Sequence, residues 1–139
     1  MSEELMKTET QNTSTVMSTL QPKTAGDAAR LANAMNASLS LADLGDGAEI
    51  EITDILVTPS KRESREHPGE FLDCESTYLI SSDGTSYFSQ SAGIARSARI
   101  LAGMIDMLRG EAGAFKVKVI SQVTQKGNVK ALMVVNARA

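Results

Sequence analysis

Tryptophan is absent from this chain, and cysteine and histidine occur once each, as Cys74 and His67. One cysteine excludes an intrachain disulfide and any cysteine-built metal cluster. One histidine excludes a His-rich metal site and leaves a His-centred triad dependent on a single residue. Proline occurs three times, and there are only five aromatic side chains, three Phe and two Tyr. No apolar run approaches the roughly 20 residues a membrane span needs. The opening MSEELMKTET lacks the basic and apolar regions of a secretory signal, so a cytoplasmic location is expected. Also missing are a Gly-x-x-x-x-Gly-Lys phosphate loop, a His-Glu-x-x-His metal pair and a Gly-x-Ser-x-Gly nucleophile turn. No catalytic residue, no metal and no cofactor are expected. Glu49 and Glu51, two apart on a strand face, read as solvated acids.

The chain has 139 residues, 42% hydrophobic and 22% charged, enough to bury one core. Its net charge of −3 conceals an asymmetry. Residues 1–83 hold 15 acids and 6 bases, whereas residues 84–139 hold 2 acids and 8 bases. Lys116, Lys118, Lys126 and Lys130 fall in a stretch without acids; Asp43, Asp46, Glu49, Glu51 and Asp54 fall in one without bases. This polarity suggests one positive surface on an acidic body. The plainer reading is a solvated surface on which like charges happen to cluster.

Residues 1–23 read as a flexible tail, because TETQNTST has no apolar period, and residues 24–139 as one domain. Thr24 or Asp27 can cap a short helix over AARLANAM, or the segment enters the first strand in an extended form. AEIEITDILV alternates as a half-buried strand, then slips phase, so a bulge is expected near Thr53–Asp54. TPSKRESREHPGE reads as a long charged loop. FLDCESTYLI and TSYFSQ read as antiparallel strands joined at Asp83-Gly84. Ser91 caps a helix whose stripe is Ile94, Ala98, Leu101, Ile105 and Leu108, ending at Gly110. FKVKVISQV and VKALMVVNA close the chain as two strands around Lys126-Gly127-Asn128.

Three strands, a helix, then two strands is the element order of the OB-fold, a five-stranded barrel of mainly β (α+β) class. A two-layer α+β sheet with the helix on one face competes. Three stretches carry a resemblance to a known family: LADLGDGAEIEITDIL, STYLISSDGTSYFSQSAGIARS and FKVKVISQVTQKGN, of which YFSQSAGIARS is the most specific. They resemble the small single-stranded DNA-binding proteins of bacteriophages. The resemblance implies an OB-fold and sequence-tolerant binding of single strands during phage DNA replication, in the host cytoplasm. Segment 1–38 has no clear counterpart in it. VVNARA lacks the acidic, apolar-tipped tail through which cellular single-strand binders recruit partners.

Such binders combine a positive groove for phosphates with ring faces for bases. Tyr78, Tyr87 and Phe88 lie on strands two and three, where an OB-fold presents ligand. Tyr87 and Phe88 are adjacent, so one of them faces the core. Tyr87 is expected outward because its hydroxyl resists dry burial. Tyr78 shares a face with Leu72, Cys74 and Ile80, which favours burial of its ring. Phe71 can stack beside the loop or pin it, and Phe115 is in phase with core valines. For phosphates the candidates are Lys61, Arg62 and Arg65 in the first loop, Lys116 and Lys118 on strand four, Lys126 and Lys130 at the last hairpin, and Arg96 at the helix start. Glu63, Glu66 and Glu70 cancel part of the first loop's charge. The expected partner is single-stranded DNA. RNA stays open because stacking does not read the 2′-hydroxyl, as do a homo-oligomer and contacts with replication proteins. The rival is a protein-interaction or virion module built on the apolar last strand and Met104, Met107 and Met133.

Overall fold

In a computed structural model of the chain, residues 16–125 and 127–135 are described. Residues 1–15 of the expected tail and the candidate Lys126 lie outside them. The sheet is built from β1 (Met17–Ser18), β2 (Leu39–Ser40), β3 (Glu49–Glu63), β4 (Phe71–Ser81), β5 (Ser86–Ser89), β6 (Phe115–Thr124) and β7 (Gly127–Val135). Helices are α1 (Ala25–Asn36), α2 (Ala92–Ala102) and α3 (Ile105–Arg109). The sheet runs β2-β5-β4-β3-β6-β7, with β1 added beside β3. This is a mainly β, curled half-barrel consistent with an OB-like fold.

Long β3 makes the curl. Its first residues pair with β6, from Glu49 opposite Lys118 to Ile52 opposite Phe115, and the rest pairs with β4. The register shifts between Ile52 and Asp54, at the position of the expected bulge, and the strand changes partners there. Asp54 is buried at that bend. Its carboxylate accepts from the Thr19 hydroxyl at 2.9 Å and from Arg109 at 3.0 Å, while Arg30 stands 3.9 Å away. Residues 17–19, expected within the tail, are thereby fastened to the sheet; Thr19 also accepts the Ile55 amide.

Three expectations are corrected. The charged stretch after Thr58 is not all loop: β3 continues through Pro59 to Glu63, pairing with Phe71–Glu75 of β4. Past Val57 its other edge carries no strand among the described residues, and a one-sided strand accepts a proline. The helix after β5 is two pieces, broken at Gly103–Met104, although Ser91 does cap it by accepting the Ile94 amide at 3.3 Å. The expected five-stranded barrel is seen as a curled half-barrel with more strands, its hydrogen-bonded order among the described residues running from β2 to β7 with β1 beside β3.

α2 closes what strand pairing leaves open. Ile94, Ala95, Ala98 and Leu101 enter one core with Ile52, Ile55, Val57, Leu79, Val117 and Leu132. Its other side lies along β7. Ser97 accepts the Leu132 amide at 3.2 Å, covering an edge donor. Gly93 is required at this contact, because a Cβ there falls 2.1 Å from the Lys130 carbonyl oxygen. α1, capped by Thr24 through the Asp27 amide, packs on β4 and β5. There Ser86 donates to the Ala34 carbonyl at 2.8 Å.

Candidate nucleic-acid interface

Side chains alternate across a strand. Ile55, Val57 and Leu79 belong to the core, so their neighbours Leu56, Tyr78 and Phe88, which stand opposite one another in register, face the other way. Tyr78 and Phe88 form a ring pair with centroids 5.6 Å apart, tilted by 37°. Tyr87 instead packs against the core, which reverses the expected orientation of the two neighbours. Its register partner Leu79 is fully buried, and that position decides the matter: a ring in phase with core residues packs inward, and Tyr87 is half-buried there.

A cleft of about 830 Å³ opens beside Phe88, within the range of sites that enclose a ligand. Its walls come from four parts of the chain: Arg62–Glu66, Phe88–Ser91, the turn of Ser40, Leu41, Ala42 and Gly45, and Val119 with Lys130. Leu72 and Ile94 add apolar surface. The structure therefore brings four candidates together, Arg62, Arg65, Phe88 and Lys130. Tyr78 backs Phe88 from the next strand.

The loop that carries the arginines is braced from within. Buried Ser64 accepts the amides of Glu66 and His67 at 3.2 and 3.1 Å, and its own amide donates to the Glu70 carbonyl at 2.8 Å. The Glu63 carboxylate accepts the Gly69 amide at 2.9 Å, so this acid is turned toward the loop backbone. Gln90 reaches from the β5–α2 junction to the Ser60 hydroxyl at 3.3 Å, joining the cleft to the extended β3–β4 ribbon.

Other candidates go elsewhere. Lys61 bonds Asp73 at 2.6 Å, which holds its ammonium above and the Asp73 carboxyl below their ordinary ranges. Lys116 stands across from Glu51, and Lys118 across from Glu49. Arg96 is exposed on α2 and does not line the cleft. Among the described residues, part of the lysine-rich stretch and part of the acid-rich stretch are thus neighbours in the sheet, base opposite acid. Lys130 itself bonds Asp46, whose second oxygen accepts the Ser121 hydroxyl at 2.8 Å. The lysine bond, then the Ser121 bond, keep the Asp46 carboxyl below the usual aspartate range.

The polar cleft residues Ser40, Ser64, Ser89, Gln90 and Ser91 were not among the candidates. The signal for three of them was present in SQS beside Phe88, a polar run between a strand and a helix start. Ser40 and Ser64 depend on pairings that no local pattern reveals. Among the described residues no group of three His, Cys, Asp or Glu side chains is arranged to hold a metal.

No curated protein and no solved structure matches the chain. A family model does, described as phage single-stranded DNA-binding protein, over residues 10–135. That span includes residues 10–38, which the sequence resemblance had left without a counterpart. With nearly the whole chain matched, and a curled OB-like sheet beneath the match, the protein belongs to the phage single-stranded DNA-binding protein family.

Proposed function

We propose that the cleft is where the single strand lies, and that the protein serves phage DNA replication by coating single strands with little regard to sequence. The observation that carries the site is the meeting of a ring and three cations from separate parts of the chain: Phe88, Arg62, Arg65 and Lys130. Phe88 offers a face for a base, and stacking is sequence-tolerant because every base has a π-face. The guanidiniums suit phosphate oxygens. Ser89, Gln90 and Ser91 supply neutral hydrogen-bonding groups beside the ring. Tyr78 supports the ring from behind and holds its orientation. The role is that of a binder in the host cytoplasm, without catalysis.

The test is fluorescence anisotropy with labelled oligothymidylate, an unlabelled duplex and a matching oligoribonucleotide as competitors. Single strands should compete far better than duplex. Affinity should fall log-linearly with salt through counterion release. Phe88→Ala and Arg62→Ala/Arg65→Ala should each weaken binding while circular dichroism and melting stay near wild type. Unchanged affinity in both variants overturns the cleft as the site.

A further inference from the structure

One wall of the cleft carries a feature that a polyanion site does not need. Asp46 sits between Gly45 and Gly47, both at positive φ, 82° and 86°. The turn is latched to β6 on its far side: the Gly47 amide donates to the Val119 carbonyl at 2.7 Å, and the Val119 amide to Ala48 at 3.0 Å. Its carboxylate is therefore placed by backbone and is not a wandering side chain. One oxygen takes the Lys130 ammonium, the other the Ser121 hydroxyl. The pair is open to solvent, with Lys130 45% and Asp46 53% exposed, so an incoming phosphate can reach the ammonium.

We propose that Asp46 is a built-in competitor for DNA: its carboxylate occupies Lys130 in the free protein, and a backbone phosphate must displace it. The proposal rests on the cleft reading given above. A carboxylate and a phosphate ask the same of an ammonium, namely charge and hydrogen-bond acceptors. While Asp46 holds it, Lys130 is already charge-compensated and adds little to phosphate attraction. The consequence is a ceiling on affinity and on salt sensitivity set by one acid. A protein that must be stripped from its strand as replication proceeds gains from such a ceiling.

The experiment compares Asp46→Asn with wild type for oligothymidylate affinity across a salt series. Asparagine keeps an acceptor for Ser121 and removes the charge. An exposed ion pair contributes little, so affinity should rise only about 1.4- to fivefold at low salt. The slope of log K against log salt should steepen by about 0.7, the value for one more phosphate contact on a single strand. Asp43→Asn, an equal change in net charge on the preceding turn, should leave the slope unchanged. Adding Lys130→Met to Asp46→Asn should cancel the gain. An unchanged or weaker affinity in Asp46→Asn with wild-type melting overturns the proposal, as does a gain that survives Lys130→Met or is matched by Asp43→Asn. If Asp46→Asn lowers the melting point, Asp46→Ser with the same controls decides it. Should Arg62→Ala/Arg65→Ala and Phe88→Ala leave binding intact, the cleft reading fails. Should they weaken it while Asp46→Asn changes nothing, only the competitor role fails.

Discussion

The lysines of β6 and the arginines of the cleft have different surroundings. Lys116 and Lys118 stand directly across from Glu51 and Glu49 on β3. Directly opposed side chains in an antiparallel pair have Cβ atoms roughly 4.5–5.5 Å apart, close enough to interact. Arg62 and Arg65 are presented by a self-braced loop, where Glu63 is turned to the Gly69 amide. Neither these arginines nor these lysines have an ion pair among the described residues; the lysines differ in standing opposite acids, whereas Arg62 stands opposite Leu72. The difference teaches that lysines counted along a chain are not a positive surface until the pairing is known. β3 brings the acid-rich stretch beside the lysine-rich one, acid opposite base in register.

The sharpest way to break this comparison is to remove each set in turn. Combining Arg62→Ala, Arg65→Ala and Phe88→Ala should reduce oligothymidylate affinity by about a hundredfold or more, since a stacked base alone contributes about 1–3 kcal/mol. Lys116→Ala/Lys118→Ala should change it less than about threefold, because each lysine is already opposite an acid. Anisotropy titrations of both variants at one salt concentration check this. A larger loss from the β6 pair would move the site from the cleft to β6.

The second expectation concerns the seam that places Lys130. Gly93→Ala puts a Cβ where the Lys130 carbonyl oxygen now lies, 2.1 Å away, and 2.8 Å from a Val129 methyl. The backbone of α2 or β7 has to give way, and overpacking of this kind costs about 1–3 kcal/mol. A chemical-denaturation curve should show that loss. Affinity should fall too, even where the variant is folded, because the moved carbonyl belongs to a cleft residue. The same experiment separates Lys130 from Lys116 and Lys118, which sit on a strand that Gly93 does not touch in this way.

What could be read beforehand follows a physical line. The bulge near Thr53–Asp54 was legible because a phase slip in alternating hydrophobicity is a local signal. So was the Ser91 cap, a side chain answering an amide three residues on, while the choice between Thr24 and Asp27 at α1 was left open until the structure gave it to Thr24. The family resemblance was legible in YFSQSAGIARS, and the structure shows a use for two of its less conspicuous residues, Gly93 and Ser97, at the β7 edge. The orientation of Tyr87 and Phe88 was misjudged because side-chain chemistry was weighed above register, and register is a tertiary fact. The strand through Pro59 was missed because proline breaks a pattern in sequence, while a strand paired on one side tolerates it. The opposition of Glu49 and Glu51 to the lysines depends on which strands pair, so no composition count contained it.

A smaller effect sharpens the comparison at Glu51. Glu51→Lys sets two lysines against each other and removes the bond that Glu51 accepts from the Ser82 hydroxyl at 3.2 Å. The expected cost is about 0.5 kcal/mol, and Lys116→Glu added to it should recover part of the loss. A matching exchange at the arginines has no opposed acid to act on, so stability there should not respond to charge reversal in the same reciprocal way. Melting curves of the single and double variants decide it; no recovery in the double variant would mean that the opposed charges do not interact.

The smallest effect is read by pH. The Lys130 and Ser121 bonds hold the Asp46 carboxyl below its ordinary range in the folded protein. A carboxyl whose folded value is depressed stabilises the fold fully above its unfolded value, about pH 4. The contribution fades as the pH falls through the lower, folded value, so the window lies in acid. Lys130→Met removes the largest cause of the depression, and the Asp46 titration followed by carboxyl NMR should move upward toward an ordinary aspartate. Asp73, held down by Lys61 and not by Lys130, should not move in the same spectrum. An Asp46 titration that ignores Lys130→Met would show that the ammonium is not held there in solution. The contrast between a compensated Lys130 and the unpaired arginines beside it would then be lost.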